Sequence, residues 1–366
     1  MAIEATDHFT PIARKLRGSV LRVPNLDSVY GRWKQGLNSH YDRLVMEINQ
    51  QLDGCFQEER ANAAKSMDFA LLTCRSYPCA DWPQLRGMGL FLVFLHLFDD
   101  EFDRKADTNV KDQASDLNLS NKYRLGMYHF VESALLNGAP NYNDIEKTLI
   151  GFAPVCNFFS AIVPALRDAP NISIPRFLKD LEFFMGPSNE EQHRLTLERR
   201  FPTVEQYDAF RLGTGAVDSI CDLHQYVAGT NLPDAIARAP EVMTMRREAS
   251  IQTCVCNDLL SLRKELNDMT LTSLIPIHLH ESGASMDEIV GKLVQELSRS
   301  ADAFDAAAKG LRTKAQGHGE GIALETGRFI EVFEGFQTGC FAFFSKSKRF
   351  GIADCQLPDG SFCIPL

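Results

Sequence analysis

The segment GMGLFLVFLHLF (87–98) contains no Asp, Glu, Lys or Arg and runs directly into DDEFDR (99–104). This junction constrains the fold more than any other stretch. The run is too short to cross a bilayer, which needs about 20 apolar residues of helix. It therefore reads as an interior helix that carries four acids in five positions at its end. Carboxylates are costly to bury unless something positive meets them. On a helix Asp99 and Asp103 stand one turn apart on one face, with Asp100 about 100° round. Like charges at that spacing repel, and acids at a helix C-terminus oppose its dipole. A hard cation reverses both costs: Mg²⁺ takes one or two carboxylates, keeps several waters and accepts phosphate oxygens. The plainer alternative is a solvated acidic helix end.

Helical periodicity dominates the rest of the chain. Phe91, Leu95, Asp99 and Asp103 fall four apart, and so do Ile289, Leu293 and Leu297 in SMDEIVGKLVQEL (285–297), behind a Ser cap. Hairpin turns and a βαβ rhythm are missing. DAPN (168–171), GPSN (186–189) and NLPD (231–234) read as breaks between helices. The apolar stretch from Leu149 contains Pro154 and Pro164 and reads as a core helix broken near one of them, not as a membrane span. The expected fold class is all-α, one domain over 1–366, with a polar lead at about 1–25 and a loose tail at about 351–366. A net charge of −10 argues against nucleic acid or an anionic membrane as partner. The ten cysteines form no CxxC pair and read as buried residues in a reducing compartment. With no apolar leader segment near Met1, the expected location is cytoplasmic. GxGxxG, Walker A and HExxH are missing.

Far downstream, CNDLLSLRKEL (256–266) places Asn257, Ser261 and Glu265 four and four apart. They form a stripe of amide, hydroxyl and carboxylate oxygens, a ligand set for Mg²⁺ or Mn²⁺. Lys264, beside it, can reach a substrate anion. An exposed polar helix face would look similar taken alone.

Together the two segments resemble the paired metal motifs of microbial (bacterial and fungal) class I terpene synthases. DDxxD corresponds to Asp99, Asp100 and Asp103; NDxxSxxxE corresponds to Asn257, Asp258, Ser261 and Glu265, with the customary Lys264. The resemblance extends to FRLGTGAVD (210–218), where Arg211 takes the place of a diphosphate-sensing arginine, Thr214 of the linker and Gly215 of the effector residue. At SKRF, Arg349 matches the Arg of an Arg–Tyr pair and Phe350 replaces its Tyr. The family's GNxxWSxxS pattern survives only as Gly339 and Ser347, with its Trp lost.

The resemblance implies a helical bundle around a central apolar cavity. It implies three Mg²⁺ ions (Mn²⁺ possible) bound by Asp99, Asp100, Asp103, Asn257, Ser261 and Glu265. Arg211, Lys264 and Arg349 would bind the diphosphate of an isoprenoid substrate, with Asp99, Arg211, Gly215 and Arg349 acting in ionisation. The implied chain is a sesquiterpene cyclase acting on farnesyl diphosphate, as monomer or homodimer. Geranylgeranyl diphosphate is the alternative substrate, and a non-catalytic binding protein of the same fold a further reading. A chain-elongating prenyl synthase is disfavoured, because a second DDxxD is missing and Arg104 is followed by Lys105. Phe69, Phe91, Leu95, His96 and Phe343 are the candidate cavity walls, although with 25 Phe in the chain most are ordinary core.

Overall fold

The computed structural model describes residues 7–106, 113–138 and 152–366, with backbone alone for 101–106 and 113–116. The elements that shape the site are, in chain order, α1 (Phe9–Leu16), β1 (Val20–Val23), α2 (Phe69–Ser76), α3 (Trp82–Ala106), α4 (Gln113–Asn137), α5 (Ile174–Phe183), α6 (Asn189–Glu198), α7 (Val204–Thr214), α8 (Val217–Asp222), α9 (Pro240–Asp268), α10 (Met286–Gln316), α11 (Glu320–Lys346) and β2 (Phe362–Pro365). Helices make up nearly all of it, as the periodicity predicts.

The apolar run is an interior helix. Leu90, Phe91, Leu92, Val93 and Phe94 of α3 are all buried, so the helix meets other helices all round. Its neighbour α2 lies against α11, and the approach is set by two glycines. A Cβ at Gly335 would stand 2.6 Å from the Ser76 carbonyl oxygen, and one at Gly339 would collide with the Ser76 backbone itself. Opposite, α9 and α10 pack along their length. The α10 start follows the sequence: Ser285 Oγ accepts from Glu288 N, the Glu288 carboxylate accepts from Ser285 N, and Ile289, Leu293 and Leu297 are buried.

Two local expectations are revised and a third is met. The lead and tail are neither polar nor loose at their cores. Phe9, Ile12, Ala13 and Leu16 bury one face of α1, and β1 pairs antiparallel with β2, setting Val20 against Pro365 and Val23 against Phe362. Leu21, Val23, Phe362 and Ile364 point inward from this ribbon. Second, GPSN does not break the chain. Phe184–Ser188 is a π-helical turn joining α5 to α6. Pro187 supplies no N–H, and the slack carbonyls are taken by side chains: Ser188 Oγ donates to Phe183 O (2.6 Å) and Asn189 Nδ2 to Phe184 O (2.6 Å). Third, the stretch from Leu149 breaks at 161–162, ahead of Pro164, between helices Phe152–Ser160 and Val163–Arg167; residues 149–151 lie outside the described set. Among the described residues no helix is long and apolar enough to cross a membrane.

Candidate active site

A cavity of about 250 Å³ lies between α3, α7, α9 and α11. From α3 it receives Leu92, His96 and Asp99, which follow the i, i+4, i+7 rhythm of one helical face. Asp103 continues that face by register; its side chain lies outside the described residues. The spacing of exactly four assumed from the sequence drifts about 40° per step, and that drift carries Phe91 and Leu95 off the cavity. Phe91 packs on Phe94 and Phe177 instead, and Leu95 is buried in the core. Phe69 and Phe343 also miss the wall and stand behind His96, with ring centroids 4.5 and 6.0–6.4 Å from His96 and from each other. Of the five candidate wall residues, His96 alone lines the cavity. The apolar wall is made by Leu72, Leu92, Ile220, Phe336, Phe344 and Phe350.

The far wall is α9. Asn257, Ser261, Lys264 and Glu265 all face the cavity, as the stripe predicts. Ser261 Oγ donates to Glu265 Oε1 (2.5 Å), and Ser273 Oγ donates to Glu265 Oε2 (2.6 Å). Burial, reinforced by the charge of Asp258, raises the Glu265 carboxyl above its ordinary range against those two hydrogen bonds. Lys264 Nζ reaches Asp268 at 3.0 Å.

Asp258, the second residue of the motif, lines the base of the cavity but has both oxygens engaged and serves as an anchor. It is fully buried. Its Oδ1 accepts from Arg211 Nη2 (2.9 Å), and its Oδ2 accepts from Tyr207 Oη (2.6 Å) and Leu274 N (3.1 Å). Arg211 Nη2 also donates to Asn257 Oδ1 (3.0 Å), so one guanidinium ties α7 to the oxygen stripe. Tyr207 lies four residues before Arg211 on the same face of α7, a spacing that could have flagged it from sequence.

Just beyond Arg211 the chain breaks between α7 and α8. Gly215 caps α7 with φ −72°, a conformation open to any residue, while Ala216 takes the left-handed value of +54°. What Gly215 supplies is space: a Cβ there would lie 2.7 Å from Cys254 Sγ on α9.

At the other rim Arg349 grips Asp100 with both terminal guanidinium nitrogens, Nη2 at 2.8 Å and Nη1 at 3.2 Å. Burial would raise the Asp100 carboxyl, but the charge and hydrogen bonds of Arg349, with smaller contributions from His96 and Lys264, together outweigh it and leave Asp100 below its usual range. Phe350 faces the cavity with its ring against Phe343 and Phe344. Arg124 of α4 and His193 of α6 also line the cavity; nothing in their local sequence marks them.

The donors suit a hard divalent cation. Asp99 on one wall and Asn257, Ser261 and Glu265 on the other offer oxygen alone, with no thiolate or imidazole among them. Among the described residues no three His, Cys, Asp or Glu side chains cluster closely enough to hold an ion. Two of the α9 donors are an amide and a hydroxyl, and the two walls face each other across the cavity. An ion here would be completed by ligands in the cavity.

Comparison with known proteins gives a consistent result. A family model described as terpene synthase family 2, C-terminal metal binding, matches residues 90–302. The sesquiterpene cyclase hepA of Aspergillus oryzae is 25% identical over 366 residues, covering 96% of this chain and 94% of its own. The (+)-eremophilene synthase of Sorangium cellulosum is 23% identical over 230 residues, 63% of this chain and 64% of its own. Among solved structures, linalool/nerolidol synthase from Streptomyces clavuligerus superposes with a TM-score of 0.68 at 18% identity, over 85% of this chain and 98% of that one. Germacradien-4-ol synthase from Streptomyces citricolor gives 0.65 at 18% identity, over 86% and 97%. At these identities the superpositions speak for the fold.

Proposed function

The chain belongs to the terpene synthase family, and from that premise we propose that it ionises farnesyl diphosphate with Mg²⁺ and cyclises the resulting cation to a fifteen-carbon product. The observation that carries this reading is the gathering of Asp99, the Asn257–Ser261–Glu265 stripe, Arg211, Lys264 and Arg349 around one cavity with an aromatic wall. Its volume of about 250 Å³ is small beside the roughly 300–1,000 Å³ of common ligand sites, which favours the shorter substrate over geranylgeranyl diphosphate.

Asp99, Asp100 and Asp103 on α3 and Asn257, Ser261 and Glu265 on α9 would hold Mg²⁺. Bound there, the metal supplies Lewis-acid stabilisation of charge on the departing diphosphate. The protein's own cations act on the same anion. Arg349 exchanges its bidentate grip on Asp100 for the diphosphate, which frees that carboxylate as a ligand. Arg211 keeps its hold on Asp258 and presents its remaining N–H groups already oriented, so little order is lost when it binds. Lys264 contributes a point charge. Gly215 lets α7 and α8 close against α9 near the leaving group. Beyond the diphosphate the allylic cation lies among Phe336, Phe344 and Phe350, whose ring faces favour positive charge and whose bulk excludes water.

Incubation of purified protein with farnesyl diphosphate and Mg²⁺, followed by gas chromatography and mass spectrometry, tests the reading. A dominant fifteen-carbon product that disappears with EDTA is the expected result. Product from geranylgeranyl diphosphate alone would shift the substrate. No product from either, with no rise in melting temperature on adding Mg²⁺ and diphosphate, would refute the enzymatic reading.

A further inference from the structure

His96 occupies a place in the cavity that ionisation does not use. It lies on the same face of α3 as Asp99, one turn toward the helix start, between the motif and Leu92. Its Nδ1 is 2.8 Å from the Leu92 carbonyl oxygen. A carbonyl can only accept, so Nδ1 carries the ring proton. In the neutral ring this leaves Nε2, at the far edge from the helix backbone, as a bare lone pair. The ring is held in place by Phe69 at 4.5 Å and by the edge-on ring of Phe343 at 6.4 Å. Burial, aided by the charge of Arg349, lowers the imidazole to about 4, so the ring is neutral at pH 7. The result is an uncharged base with a fixed tautomer and a clamped ring plane in the cavity wall, on the helix that carries Asp99.

We propose that His96 Nε2 takes the proton that ends the reaction, and so sets which alkene is released. This rests on the carbocation chemistry proposed above. In the step, a C–H bond next to the cationic carbon breaks and its electron pair becomes the new C=C bond. The proton forms a bond to Nε2, and the imidazolium keeps its Nδ1–H bond to Leu92. The ring then passes the proton to the departing diphosphate, which leaves protonated, and His96 returns to its starting state. A weakly basic imidazole is sufficient, because a carbocation is a far stronger acid than any imidazolium.

The test separates ionisation from termination. His96→Phe keeps a ring of similar span and removes the lone pair. Counted per diphosphate released, the ratio of the wild-type alkene to earlier-terminating or water-quenched products should fall by about 100-fold, the low end of what a positioned general base contributes. His96→Ala with added imidazole should recover the wild-type ratio. Pyrrole, the same ring without a free lone-pair nitrogen, should not. Independently of any variant, ¹⁵N NMR of the wild-type protein should find His96 at pH 7 protonated on Nδ1 and bare on Nε2. An unchanged product ratio in His96→Phe overturns the proposal. So does equal recovery with pyrrole, no recovery with imidazole, a wild-type product that is an alcohol formed by water capture with no C–H proton lost, or the opposite tautomer. Failure of the wild-type protein to consume either prenyl diphosphate would instead defeat the underlying functional reading, and diphosphate release distinguishes the two.

Discussion

Replacing Asp258 by Asn preserves the outline of the side chain and removes its charge. Two costs follow. Arg211, with its side chain 16% exposed, loses the carboxylate that balances it. An amide also cannot serve all three donors now converging on the carboxylate. If its NH₂ replaces Oδ2, it faces the Leu274 N–H at about 3.1 Å; if it replaces Oδ1, it faces the guanidinium. Breaking a buried pair from one side costs about 3–5 kcal/mol. With about 2.1 cal/mol/K of unfolding entropy per residue over 366 residues, that loss lowers Tm by about 4–6 °C. The assay is a thermal melt without metal or substrate, read by circular dichroism. Adding Arg211→Met to Asp258→Asn removes the stranded charge, so the double variant should recover at least half of the lost Tm while remaining inactive. A single variant melting within about 1 °C of wild type, well below the expected loss, would refute the claim that Asp258 anchors Arg211.

Asp99→Asn, or Asn257→Ala with Ser261→Ala, should abolish most turnover, by roughly 100-fold or more, with an unchanged helical spectrum; wild-type turnover would overturn the metal assignment. Gly339→Ala should push α2 and α11 apart and cost about 1–3 kcal/mol through overpacking, read by chemical denaturation. Asp180 gives a pH-dependent test. Burial and the neighbouring Asp222 raise its carboxyl to about 6, so between about 4 and 6 the folded chain holds a proton that the unfolded chain has lost. Its contribution is complete below about 4 and is lost as pH rises through 6. Asp180→Asn, measured against wild type by denaturation at pH 4 to 7, should therefore gain relative stability with rising pH up to about 6 and then level off. A flat difference would show that the shift is not real.

What the sequence discloses about the site tracks local spacing. The α9 stripe was legible because Asn257, Ser261 and Glu265 lie within one helix, so two turns of regular geometry fix their common face. On α3 the acids were legible but the wall was not. Phe91 and Leu92 are equally apolar, and only the neighbouring helices decide which of them meets the cavity. Phe343 and Phe344 pose the same ambiguity on α11. The roles of Arg124 and His193 depend on where α4 and α6 lie, which no local pattern encodes. GPSN misled because a Pro and a Gly ordinarily end a helix, whereas here the hydroxyl of Ser188 and the amide of Asn189 take up the freed carbonyls and the turn survives as a π-helix. The ribbon was invisible for a different reason. VLRV and FCIP are four residues each, too short for an alternation to register, and each acquires its strand character from a partner at the opposite end of the chain.

That ribbon also orders events in time. Pairing Val20 with Pro365 closes a loop of almost the whole described chain, and contacts of such sequence separation bear the largest closure entropy and form late. Arg349 and Phe350 lie about a dozen residues before β2, while α3, α7 and α9 can assemble without it. The carboxylate walls of the cavity are thus built first and its Arg349 rim last. A refolding chain should gain its helical signal before it gains affinity for diphosphate, and the lag between the two measures the closing of the ribbon.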